Sequence, residues 1–187
     1  MKKLTIQSAE RADIPALQVI IGKTGLFPPE FLPSMLEDVI ADPDTGIWLT
    51  CFDAKTLVGM CYATPEHMAE NVWNMLALAV LPDQQGKGVG SALVGTLEDQ
   101  LRKMQQRMLI VETSGTREFA QARGFYSSVG YEQEGCIRDY WSDGDDKIIF
   151  RKKTDLIQLK TSPLTNWGEA LCSSVGIRHC CCRPAQA

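Results

Sequence analysis

Three observations predict an α/β fold, a mixed sheet with helices on both faces. The apolar periodicity runs strand, two helices, three strands, helix, strand, helix, two strands. A strand ending at Leu81 passes through a glycine-rich turn into a helix, and a further apolar run comes after that helix. Strand, helix, strand in this order makes a right-handed crossover with the two strands parallel. The 187 residues, 44% of them hydrophobic, are enough for one compact domain with a core.

Each element has its own signature. Leu4 and Ile6 alternate with polar residues as a short first strand, and Asp13 stands as N-cap before Ile14, Leu17, Ile20 and Ile21 at helical spacing. Pro15 fits the first turn of that helix, and Gly22 and Gly25 end it. Pro28 and Pro29 lead to a second amphipathic stretch with Phe31, Met35 and Val39 on one face, its regular part confined to the residues after Pro33. Ile47 to Phe52 and Leu57 to Thr64 then read as an antiparallel hairpin around Asp53–Thr56. His67 falls in a polar loop and reads as a surface residue, and the next strand begins near Val72.

After the glycine turn, Val89, Leu93, Leu97, Leu101 and Met104 repeat as the buried face of a helix, with Glu98, Asp99, Arg102 and Lys103 on other faces. Leu109 to Val111 is a short strand ending in Glu112 and Thr113. Phe119, Ala122, Tyr126 and Val129 line a last helix, capped by Gly130, and Gly124 inside it costs about 1 kcal/mol relative to alanine. Tyr131–Trp141 and Lys147–Arg151 close the sheet as a hairpin around Ser142-Asp143-Gly144-Asp145.

The glycine turn is where the sequence is most informative. Gln85, Gly86, Lys87, Gly88, Val89, Gly90 and Ser91 lead from a strand into a helix, whose first N–H groups have no internal partner and sit at the positive end of its dipole. Glycines let the chain approach an anion closely, so the turn suits phosphate. It is not a nucleotide P-loop, because Gly88 follows Lys87 where a Ser or Thr would bind magnesium. Nor does it match the dinucleotide fingerprint, since Ser91 occupies the place of the third glycine.

Gln85-x-x-Gly88-x-Gly90 after an apolar strand and a proline resembles the acetyl-coenzyme A pyrophosphate loop of the GNAT family of N-acetyltransferases. A second motif agrees. Phe125-Tyr126-Ser127-Ser128-Val129-Gly130-Tyr131 resembles the family's Phe-Tyr-x-x-x-Gly-Phe helix end, with Tyr131 in place of the final Phe. Asp139-Tyr140-Trp141 through Lys147 is similar to the closing hairpin of one subgroup, and the resemblance covers roughly residues 3–153.

The resemblance implies a mostly antiparallel mixed sheet with one splayed parallel strand pair. It also implies acetyl-CoA as cosubstrate, an amine as acceptor, and direct transfer within a ternary complex. Backbone groups of Leu78, Ala79 and Val80 would hold the pantetheine arm and polarise the thioester oxygen, while Gln85 to Ser91 would take the pyrophosphate. Tyr126 occupies the family's tyrosine position and would protonate the departing thiolate. Glu112, near the expected splay, is the candidate base, with ordered water as the alternative. The first two helices fall where the family builds its acceptor wall, and family members are often dimers. A non-catalytic acyl-CoA sensor is the competing reading, against which Tyr126 weighs, because binding alone needs no acid there.

Composition narrows the remaining classes. A formal charge of −4 argues against nucleic acid as partner. No apolar run approaches the roughly 18 residues of a membrane span, and the first residues alternate like a strand, so a cytoplasmic protein with no membrane association is expected. Cys51, Cys61 and Cys136 read as isolated buried thiols, and a cysteine nucleophile lacks a nearby histidine in sequence. The chain divides into residues 1–153, the transferase-like domain, and an extension over residues 154–187 with little periodicity. There Trp167, Cys172 and the cluster His179-Cys180-Cys181-Cys182 do not match the spacing of paired zinc ligands, so no metal is expected.

Overall fold

A computed structural model of the chain describes residues 4–154. The elements are β1 (Leu4–Ser8), α1 (Ile14–Thr24), α2 (Leu32–Ala41), β2 (Ile47–Asp53), β3 (Thr56–Pro65), β4 (Val72–Val80), α3 (Val89–Lys103), β5 (Met108–Ser114), α4 (Ala120–Ser128), β6 (Glu132–Ser142) and β7 (Asp145–Lys153), with short 3₁₀ turns between some of them. This is the order that the periodicity predicts. The strands form one sheet in the order β1-β2-β3-β4-β5-β7-β6, antiparallel throughout except for β4 against β5. The expectations for the extension beyond Thr154 lie outside the described residues. No helix among the described residues is long and apolar enough to cross a membrane.

The sheet carries two apolar layers. On one face Leu93, Leu97 and Leu101 of α3 and Tyr126 of α4 pack with Cys61, Trp73, Met75, Leu109, Val111 and Phe150. On the other, Leu17, Ile20 and Ile21 of α1 and Leu32 and Leu36 of α2 pack with Trp48, Met60, Ala77 and Ala79. Fully burying one such leucine or isoleucine contributes about 1.5–3 kcal/mol, so the two layers hold the helices to the sheet. Gly59 seats the start of α3, since a Cβ there would lie 2.9 Å from a methyl of Val89.

Several local expectations are corrected. In α2 the buried face is Leu32 and Leu36, whereas Phe31 precedes the helix and is exposed, because Pro33 sits in the first turn instead of delaying it. Glu98 is buried, not on a solvent face, because Lys152 Nζ reaches both of its carboxylate oxygens at 3.0 and 2.8 Å. Met104 and Phe119 are exposed at the helix ends. Asp13 does not cap α1 with its side chain, and its carboxylate instead accepts the Glu10 N–H at 3.0 Å. Cys51 and Cys61 are buried, but Cys136 is exposed because β6 is an edge strand.

One irregularity organises the centre of the sheet. Along β3, Tyr62 pairs with Ala77 and the next residue, Ala63, pairs with Met75, so Leu76 is an extra residue on β4. A bulge of this kind inverts which way the following side chains point. Trp73 and Met75 therefore face α3, whereas Ala77 and Ala79, of the same parity, face α1 and α2. Leu78 and Val80 are turned back toward α3.

Candidate active site

The parallel ladder between β4 and β5 is short, pairing Val72 with Met108 through Met75 with Val111 and then stopping. Beyond it β4 continues to Val80 bonded only to β3, and β5 continues to Ser114 bonded only to β7. The two strands therefore part into a V. Leu76, half exposed, and Glu112 are the first residues past its vertex. The edge of β4 from Leu76 to Val80 has no strand partner on the side facing β5, and backbone polar groups left in this way, apart from Val80 O, which the Gln85 side chain occupies, are free to bind an extended ligand.

The V opens into a cavity of about 490 Å³ on the α3 and α4 face. Leu78 and Val80 form one wall, Phe119, Ala122, Phe125 and Tyr126 the opposite one, and Gln85, Gly86, Gly88, Gly90 and Ser91 the far end. Gly86 and Gly88 hold positive φ of 71° and 84°, where a side chain would be strained. Gly88 starts α3 without a side-chain cap, and Ala92 donates the first backbone bond, to Gly88 O at 3.0 Å. Among the described residues no protein acceptor takes the N–H groups from Gly86 to Ser91. Gly90 faces Phe125, whose ring would lie 3.2 Å from a Cβ at that position.

The remaining members of the predicted loop do other work. Gln85 Nε2 donates to Val80 O at 3.2 Å, tying the turn to the strand end. Lys87 is folded back, its Nζ donating to Asp83 O at 2.5 Å. The side chain of Val89 is in the core and that of Ala79 points to the opposite layer, so only their backbone groups are on this side of the sheet.

Tyr126 lies between cavity and core, with its ring 5.4 Å from Phe125, 5.9 Å from Tyr131 and 5.7 Å from Phe150 between centroids. Burial pushes its phenol well above the ordinary tyrosine value, and Cys61 adds to the shift. The phenol is therefore protonated across the neutral range, as a proton donor must be.

Glu112 is not brought into the same cavity. Leu109 and Val111 point into the α3 layer, so strand alternation puts Glu112 on the other face, where Lys147 Nζ meets its Oε2 at 2.8 Å. His67 is exposed and is not among the residues that line the cavity. Four contributors were not singled out from sequence: Leu76 at the vertex, Phe125 against Gly90, and Lys147 with Tyr140 beside Glu112. The adjacency of Phe125 to Tyr126, at helical spacing from Ala122, is the signal that could have found the second.

Comparison with known proteins agrees with this architecture. The family model described as acetyltransferase (GNAT) family matches residues 17–131. An uncharacterized N-acetyltransferase of Methanocaldococcus jannaschii is 32% identical over 83 residues, 43% of this chain and 51% of its own length, so the match spans about half of that relative. A crystal structure from Desulfovibrio desulfuricans assigned to the GNAT acetyltransferases superposes with a TM-score of 0.76 at 23% identity, covering 82% of this chain and 100% of the other. Spermidine N-acetyltransferase from Vibrio cholerae, in complex with CoA and spermine, superposes with a TM-score of 0.71 at 15% identity over 83% and 98% of the two chains. The structural likenesses establish the shared fold, and the family model, running from α1 through α4 to Tyr131, establishes that the chain belongs to the acetyltransferase (GNAT) family.

Proposed function

We propose that the chain transfers the acetyl group of acetyl-CoA to a primary amine by direct transfer in a ternary complex. The observation that carries this reading is the V between β4 and β5, which has Tyr126 on one face of the sheet and Glu112 on the other. A thioester lying in such an opening is reached by an acid from the cofactor side and by an amine from the opposite side.

The residues fit the cosubstrate. Orphan N–H groups from Gly86 to Ser91 suit a pyrophosphate, the missing side chain at Gly90 leaves room beside Phe125, and the free edge of β4 suits the amides of a pantetheine arm. The Vibrio cholerae protein of the same fold holds CoA, which supports the choice. Acetyl-CoA supplies an acetyl group already activated as a thioester. The chain's part is to hold and to move protons. A backbone N–H among Leu78 to Val80 polarises the carbonyl oxygen. Glu112 takes a proton from the amine as the C–N bond forms, and Tyr126 gives one to the sulfur as the C–S bond breaks, so the products are an amide and a free thiol.

The test is calorimetry with acetyl-CoA and then thiol release across small amines, peptides with a free N-terminus, and N-blocked peptides containing lysine. Saturable binding with release for at least one acceptor class is expected. Binding without release across the panel would instead make the chain an acyl-CoA sensor, and no binding would refute the site.

A further inference from the structure

On the face of the sheet opposite the cavity, a nearly buried lysine is paired with Glu112, the first residue of β5 past the vertex. Lys147 Nζ lies 2.8 Å from Glu112 Oε2, with only 10% of its side chain exposed. Its ammonium sits 4.0 Å from the centroid of the Tyr140 ring and 5.6 Å from that of Trp141, and the two rings meet edge to face. Burial disfavours its charge, yet bonding to Glu112 and Tyr140 outweighs this and raises its pKa above the ordinary lysine value. Lys147 is therefore a fixed cation.

Its placement comes from register. Glu112 pairs with Ile149 and Ser114 with Lys147, so Lys147 is the diagonal neighbour of Glu112 on one face, while Ile148 between them in sequence enters the α3 layer. Beside β6 the chain departs from regular pairing between Ile137 and Ser142, which brings Tyr140 over the ammonium. Asp139 takes a positive φ of 53° in this stretch, its N–H donates to Asp146 Oδ1 at 3.0 Å, and its own Oδ1 accepts the Gly144 N–H at 2.8 Å. The hairpin is thus braced in the form that covers Lys147.

Glu112 is held at Oε2, and a quarter of its side chain remains exposed. We propose that Lys147 is the positioning residue of the transfer site: it fixes the Glu112 carboxylate at the vertex so that its exposed part receives the proton of the acceptor amine, and Tyr140 keeps the lysine in place. The proposal rests on Glu112 being the proton acceptor. A side chain that must meet a substrate in one geometry gains from such anchoring, since a small misplacement of a reacting group costs orders of magnitude in rate.

A double-mutant cycle separates this from a merely structural role. Thiol release is measured with acetyl-CoA and the best amine of the panel for Glu112→Gln, Lys147→Met, Lys147→Arg and the Glu112→Gln/Lys147→Met pair, with melting curves for each. Glu112→Gln should lower kcat by about 10²-fold or more. Lys147→Met should lower kcat about 10-fold with KM for acetyl-CoA unchanged, Lys147→Arg should recover most of it, and the double variant should lie within about 3-fold of Glu112→Gln. Tyr140→Leu, at a half-exposed position that does not threaten folding, should show a smaller loss that also disappears in the Glu112→Gln background. Losses that multiply in the double variant, or full activity in Lys147→Met, would overturn the role of Lys147 alone. Full activity in Glu112→Gln would instead overturn the assignment of the base on which the proposal rests.

Discussion

Met75 and Val111 are the last residues that β4 and β5 pair in parallel, and the extra residue Leu76 comes directly after Met75. The bulge and the parting of the strands coincide. One residue past the last parallel pair, β4 has turned Leu78 and Val80 toward the cavity and exposed its backbone edge. A single insertion in a strand thereby makes both the apolar wall and the polar rail of the site.

Gly90 tests the wall. A Cβ there meets Phe125 at 3.2 Å, so Gly90→Val should push Phe125 into the cavity and weaken acetyl-CoA about 10-fold or more in calorimetry while the protein stays folded. Gly88 differs, because a Cβ there meets nothing within 4 Å of the protein, but its φ of 84° is strained for any other residue. Gly88→Ala should therefore cost about 1–2 kcal/mol of stability and also weaken binding. Parent-like affinity in both variants would mean that the loop is not the binding site.

Tyr126→Phe removes only the hydroxyl and keeps the ring contacts with Phe125, Tyr131 and Phe150. Turnover should fall by roughly 10²-fold, while the dissociation constant of acetyl-CoA changes little. Unchanged turnover when chemistry limits the rate would return Tyr126 to the core as an aromatic packing residue.

The element order and the glycine turn were legible because both depend on local chemistry: apolar period, a proline after the strand, and glycines at a helix start. What escaped depends on partners far away in sequence. β4 is apolar along nearly its whole length, so it offers no alternation from which a bulge at Leu76 could be read. Glu98 looks like a solvent-facing helix residue until Lys152, 54 residues on, reaches it. Glu112 was legible as a strand-end carboxylate near the expected splay, but its partner Lys147 is supplied by a hairpin whose irregular register brings Tyr140 with it. Phe31 misled because proline is tolerated in the first turn of α2, which shifted the buried face to Leu32 and Leu36.

Stability should decline at alkaline pH through Cys61. Burial raises this thiol from 9.0 to about 12 in the folded chain. Below the unfolded value both states carry the proton and its contribution is fully present. Above it the unfolded chain loses the proton first, so unfolding is favoured increasingly until the folded thiol also ionises. Urea unfolding between about pH 9 and pH 10 should show a fall of up to about 1.4 kcal/mol from this thiol, and Cys61→Ala should flatten the slope. An equal slope in both proteins would assign the decline to other groups.

Where acetyl-CoA lies is the central question, and a crystal structure of the chain with acetyl-CoA measures it directly. Pyrophosphate oxygens are expected within hydrogen-bonding distance of N–H groups between Gly86 and Ser91, with the pantetheine arm along β4 from Leu76 to Val80. The thioester should sit at the vertex between Tyr126 and Glu112. A second cavity, of about 640 Å³, is lined by Ala9, Arg11, Ile40, Pro43 and Trp48. Acetyl-CoA bound there, or anywhere that leaves the N–H groups of the glycine loop without a phosphate partner, would contradict the assignment of the site.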